Sequence, residues 1–139
     1  MRAIDFTHDP ARVSWVDSAN VPGADFPIQN LPFGVFRRAG TAENFRCATA
    51  IGQYALDLGA LDVLSPLEGL AAHALATCAE PSLEGLMRLG PQAWTALRQG
   101  LSQLLTAGSL RAEELARALV PLAQIELALP VRIGDYTDF

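Results

Sequence analysis

Arg46-Cys47-Ala48-Thr49-Ala50-Ile51-Gly52-Gln53-Tyr54-Ala55-Leu56-Asp57-Leu58 is the stretch that decides the fold. Two extended arms, Arg46–Ile51 and residues 54–58, flank Gly52-Gln53. A two-residue connection with glycine first suits a type II′ hairpin. Side chains alternate along a strand, so Cys47, Thr49 and Ile51 share one face and Ala48 and Ala50 the other. Gly52 has no glycine-rich neighbours and reads as a turn residue, not a phosphate cradle.

Upstream of this hairpin, Trp15-Val16 leads into the turn-rich run Asp17-Ser18-Ala19-Asn20-Val21-Pro22-Gly23. Residues 26–36 carry Pro27, Pro32 and Gly34, and proline lacks a backbone donor. That segment is expected to be irregular or to form an edge strand, ending at the polar break Arg37-Arg38-Ala39-Gly40-Thr41. Its aromatic residues, Phe26, Phe33 and Phe36, either fill the core or pack between domains.

From residue 62 the pattern turns helical. Ser65-Pro66-Leu67-Glu68 predicts a capped start, with Ser65 as cap, Pro66 in the first helical position and Glu68 completing a capping box. Leu67, Leu70, Ala71, Ala74, Leu75 and Cys78 follow at helical spacing, and Glu80-Pro81 ends the helix. A short helix is expected over residues 82–89, stopped by Gly90-Pro91. Pro91 opens another, with Trp94, Leu97, Leu101, Leu104 and Leu105 on one stripe and Gly108 as its stop. Such a stripe normally packs on its own domain, although it can also form a partner groove. Ser109 is expected to cap a last helix carrying Leu115 and Leu119, and Pro121 to break it. Ile125, Leu127 and Leu129 then alternate with Glu126 and Ala128 as a strand leaving the small β unit. The expected class is α+β, a small β unit with a helical insertion or appendage.

The totals bound the rest. The chain has 139 residues, 50% of them apolar, enough for about one domain with a real core. The formal net charge of −5 argues against a nucleic-acid surface. All basic residues are arginine, so no lysine is present to form a Schiff base. Cys47 and Cys78 lack metal-ligand spacing and read as buried free thiols in a reducing compartment. Residues 1–9 hold no apolar signal block, and no window carries the roughly 18 apolar residues needed to span a membrane. A cytoplasmic location is expected. His8 and His73 have no Ser, Cys or acidic partner at a telling spacing, so a Ser-His-Asp reading has no anchor.

The C-terminal stretch reads Leu129-Pro130-Val131-Arg132-Ile133-Gly134-Asp135-Tyr136-Thr137-Asp138-Phe139. It places two carboxylates on a glycine-initiated turn. We expect the chain to end inside an active-site motif and to be part of something larger.

Two segments together resemble fumarylacetoacetase. Asp25-Phe26-Pro27-Ile28-Gln29-Asn30-Leu31-Pro32-Phe33-Gly34-Val35-Phe36 is similar to that family's N-terminal signature. Residues 129–139 are similar to the entry into its catalytic domain, and Ala50-Ile51-Gly52 with Leu56-Asp57-Leu58 to its hairpin. At Cys47-Ala48 the chain departs from the family, which has an aliphatic residue followed by glycine.

The resemblance implies an SH3-like β-barrel with helical additions over residues 1–124. It implies the first strand of a missing β-rich catalytic domain over residues 125–139. It further implies a C–C bond hydrolase that cleaves 4-fumarylacetoacetate to fumarate and acetoacetate in tyrosine catabolism, with a Ca²⁺ or Mg²⁺ ion and assembly as a homodimer. Asp138 matches the family's first metal-binding aspartate, with Asp135 shaping the turn that aims it. The catalytic residues match positions beyond Phe139, so this stretch alone is expected to be inactive and structural, with its own catalytic domain as partner. The rival reading is a free-standing SH3-like interaction module without catalysis.

Overall fold

The computed structural model describes residues 5–128. Among them five antiparallel strands form one sheet in the order β4-β3-β2-β1-β5, with helices on one face. The strands are β1 (Phe33–Arg38), β2 (Arg46–Ile51), β3 (Tyr54–Asp57), β4 (Leu119–Pro121) and β5 (Ile125–Ala128). The helices are α1 (Leu58–Val63), α2 (Gly69–Thr77), α3 (Glu84–Leu89), α4 (Pro91–Leu105) and α5 (Ala112–Leu115). The α+β class expected from the pattern is the one observed.

The hairpin forms with the expected turn. Ile51 faces Tyr54 and Ala48 faces Asp57 across the ladder. Its second arm stops one residue early because the Asp57 side chain accepts from the Ala60 amide at 3.1 Å and starts α1 at Leu58. Gly52 has φ +58, and a Cβ there would lie 2.8 Å from the Ala19 amide nitrogen. The turn is thus seated against the 3₁₀ turn Asp17–Ala19, with the Gly52 amide donating to the Phe26 carbonyl at 2.7 Å.

Several expectations are corrected. Residues 33–38 form an interior strand, not an edge, pairing with both β2 and β5. Both prolines precede that strand, so neither removes a donor from its ladder, and the Pro32 carbonyl accepts from the Ala50 amide. Ser65 does not cap a helix: it sits at φ 49, and α2 begins four residues later behind Glu68. Leu119 and Pro121 belong to a strand, where Pro121 is tolerated because β4 lies at the sheet's end. Ile125–Ala128, expected to leave the unit, is hydrogen-bonded into its sheet through β1.

The sheet cannot be flat. Its end strands, β4 and β5, are joined only by the 3₁₀ turn Leu122–Gln124. Four inter-strand steps would separate them by about 19 Å in a flat sheet. The four residue steps from Pro121 to Ile125 reach at most about 14 Å. Pro121 also lies opposite Tyr54 at the start of β3, whereas Ile125 lies opposite Arg38 at the end of β1. Only strong coiling with stagger brings those points together. No ladder joins β4 to β5 among the described residues, so hydrogen-bonded closure into a barrel is not made there.

Rolling the sheet gives it two apolar faces. The inner one holds Phe36, Ala48, Ala55 and Val120, with Leu122 and Ile125 against them. The outer one presents Val35, Cys47, Ile51 and Leu56 to the helical layer, where Leu58, Leu75, Leu97, Leu101 and Leu105 are fully buried. The N-terminal segment is strapped to α4. Trp15 donates through its amide to Leu105 O and through Nε1 to Leu104 O, and the buried Arg98 donates to Gln29 O at 2.7 Å. Asp5 extends the strap through a 2.9 Å bond from Gln99.

Two outcomes test this account. Gly52→Ala should lower stability by roughly 2–4 kcal/mol in chemical denaturation, since a left-handed backbone and a backbone clash combine. The Asp5 carboxyl is held at about 2 by the Thr7 hydroxyl, with further help from Gln99, the Thr7 amide and His8, against the opposing effect of burial. A depressed pKa contributes stability that is complete above about 3.9 and is lost as pH falls toward 2. Melting temperature should therefore drop less between pH 4 and 2 in Asp5→Asn than in the unaltered chain, starting from a lower value at neutral pH.

Candidate functional site

Among the described residues the inner face of the rolled sheet is not filled. A hollow of about 450 Å³ opens from it, floored by Phe36, Ala48 and Ala55 and rimmed by Phe26, Leu122, Ile125 and Leu127. The cause is local. Gly34, Ala48, Ala50 and Ala55 all project little side chain on the inner side, leaving room above Phe36. Leu127, on β5, is 72% exposed at the rim. The polar Thr49 hydroxyl nearby is spent on the Pro32 carbonyl at 3.0 Å. Among the described residues the lining offers no charged group, so the hollow suits apolar surface.

At the end of the inner face the charges are paired. The Arg46 guanidinium lies 4.6 Å from the Phe36 ring centroid and bonds Asp57 at 3.0 Å and Glu43 at 2.9 Å. Asp57 thereby both caps α1 and holds Arg46 over the aromatic floor. Arg37 pairs with Glu126 across β1 and β5 and stacks 4.4 Å from the Phe45 ring centroid. These are structural uses of charge, each satisfied locally.

Of the candidate catalytic residues singled out in the sequence, the described ones, His8 and His73, lie apart on different elements. Asp135 and Asp138 lie outside the described residues. His8 ends the 3₁₀ turn Phe6–His8 beside Asp5 and Thr7, while His73 is exposed on α2. Among the described residues no three His, Cys, Asp or Glu side chains gather to hold a metal ion, so no step through Ca²⁺ or Mg²⁺ is derived from them. No described helix is long and apolar enough to cross a membrane. Trp94 packs with its Nε1 on the Leu86 carbonyl at 2.7 Å, which ties α4 to α3. Of the three aromatic residues, Phe36 is core and Phe26 and Phe33 border the hollow.

Sequence reasoning missed one juxtaposition, that of Cys47 and Cys78. The Cys47 amide donates to the Cys78 carbonyl at 3.1 Å, and both side chains are fully buried. A hydrogen bond with Cys78, together with burial, pushes the Cys47 thiol up. Thirty residues of intervening chain gave no signal of this meeting; only the outward face of β2 hinted that Cys47 would meet a helix.

The fold and hollow can be set beside known proteins. The family described as fumarylacetoacetase N-terminal matches residues 29–130. Fumarylacetoacetase of Oryza sativa subsp. japonica is 42% identical over 124 residues, covering 85% of this chain and 29% of that protein. The Mus musculus and Homo sapiens fumarylacetoacetases are each 38% identical over 120 residues, covering 84% of this chain and 28% of their own length. The chain thus spans less than a third of the relatives it matches. With a family match running from the segment before β1 to just past β5, the chain belongs to the fumarylacetoacetase N-terminal family.

Proposed function

We propose that this chain is the supporting N-terminal domain of a fumarylacetoacetase, in which a rolled, unclosed SH3-like sheet with helical additions docks a catalytic part through its apolar hollow. The observation that carries the reading is the family match over residues 29–130 on a domain whose own lining holds no catalytic group. The hollow and the exposed Leu127 at its rim supply the apolar surface such docking needs. Residues 125–139 then serve twice, with β5 completing the small sheet and the rest leading toward the catalytic part.

The proposed reaction is hydrolysis of a C–C bond in 4-fumarylacetoacetate, a 1,3-diketone, to fumarate and acetoacetate. A general base would activate water for attack on a ketone carbonyl. A bound Ca²⁺ or Mg²⁺ would supply charge stabilisation to the departing enolate, and oxygen ligands suit either ion. This chain's contribution would be one carboxylate, Asp138, with Asp135 shaping its turn. One carboxylate falls far short of the six to eight oxygens that calcium takes. The chain alone is therefore proposed to be inactive. The assembled enzyme is proposed to be a homodimer, as the resemblance implies, and to be cytoplasmic. A free-standing interaction module is the second reading, favoured by the same hollow.

Two assays separate these readings. Fumarylacetoacetate cleavage with added Mg²⁺ or Ca²⁺ should be absent in the 139-residue chain and present when a family catalytic domain is fused after Phe139. Activity in the short chain, or none in the fusion, would sink the proposal. Leu127→Asp should leave the unfolding free energy of the isolated chain within about 0.5 kcal/mol of its starting value, while lowering the activity and soluble yield of the fusion. An unaffected fusion would place the docking surface elsewhere.

A further inference from the structure

Two thiols from distant parts of the chain meet under a surface turn. Cys47 lies on the outer face of β2, and Cys78 is the residue that ends α2. Their backbones are joined by the 3.1 Å bond from the Cys47 amide to the Cys78 carbonyl. This direct backbone bond and the hydrogen bond between the two thiols put the residues in contact, as a disulfide requires. The Cys47 thiol donates weakly to the carbonyls of Glu80 at 3.5 Å and Ser82 at 3.4 Å. The Cys78 thiol lies 3.6 Å from the Ala74 carbonyl.

The cover over the pair is thin. Residues 79–83 belong to neither helix nor strand, and Ala79, Glu80 and Pro81 are exposed. Within it the Glu80 amide donates to the Thr77 carbonyl at 3.3 Å and the Glu84 amide to the Ser82 hydroxyl at 3.0 Å. Irregular surface segments of this kind open at lower free-energy cost than a sheet or a long helix.

We propose that Cys47 and Cys78 are an oxidation site, closing to an intramolecular disulfide that staples the sheet to the helical layer when the chain meets a small-molecule disulfide. The steps balance. Cys78, having lost its proton to water, attacks one sulfur of oxidised glutathione, forms a mixed disulfide and releases one glutathione thiolate. Cys47, likewise deprotonated, attacks the Cys78 sulfur and releases the second. Two cysteine thiols are oxidised and one glutathione disulfide is reduced to two thiols. The closed bond removes the one hydrogen that Cys47 shares between the Glu80 and Ser82 carbonyls, so the covering turn loses that anchor to β2.

The test uses the whole chain in native buffer with oxidised glutathione. The reaction is quenched in acid, and the remaining thiols are alkylated after unfolding and read by intact mass. The expected product is monomeric, lighter by two hydrogens, unalkylated and restored by reduction. It should exceed glutathione adducts by roughly tenfold or more, because the neighbouring thiol acts at a high effective concentration. Peptide mapping of the unaltered chain locates the bond, so no variant need fold. Two alkylatable thiols after prolonged exposure, stable adducts on either cysteine, or cross-linked dimers would each overturn the proposal.

Discussion

The three-residue turn between β4 and β5 is the constraint on which the structure depends. It joins the two ends of a five-stranded sheet that, laid flat, would be too far apart for it to reach. The sheet must therefore roll, and its inner floor carries one large ring, Phe36, beside Ala48, Ala50 and Ala55, whose small side chains leave the hollow open. Phe36 in turn fixes Arg46, and Arg46 meets the aspartate that begins α1. A connection three residues long thus reaches, through packing and charge, to the start of the helical layer.

That layer has a different logic. Its leucines are spaced for helices and meet the outer sheet face as one continuous core. Helix α4 organises it, touching α2, α3 and the N-terminal strap along its length. The chain therefore has a dense outer core and a sparse inner one, and the surface suited to a partner lies on the sparse side. This division suits a domain whose family relatives are more than three times its length.

Local signals were legible in the sequence where a single interaction dominates. Gly52-Gln53 turned the hairpin as glycine-first turns do, and Gly90 with Pro91 separated α3 from α4 as proline at a helix start predicts. Elsewhere tertiary contact overrode local chemistry. Ser65-Pro66 looked like a helix start, yet Ser65 takes a left-handed conformation and the helix waits for Gly69. Leu119 fitted a helical stripe, but pairing with Leu56 drew it into the sheet. The pattern carries the strand through Asp57 to Leu58, and the capping of α1 by Asp57 appears only with Ala60 in place. The hollow was invisible for a plainer reason. Small residues on a strand face give no sign of whether a neighbour will fill the space they leave.

The strand order also carries a temporal consequence. β1 is hydrogen-bonded on one side to β2, which follows within a few residues, and on the other to β5, where Arg37 meets a glutamate 89 positions away. During synthesis the chain emerges in order, so the β1–β2–β3 meander is available long before its last partner. Until β5 arrives, one side of β1 is an unpaired edge above an open apolar floor, the kind of surface that other nascent chains can pair with. The helical layer, built from contacts close in sequence, can form in that interval and shield one face of the meander but not the other. The ribosome-bound intermediate of this domain is therefore a half-covered sheet, and its exposure to chaperones is set by the time taken to translate the helical stretch.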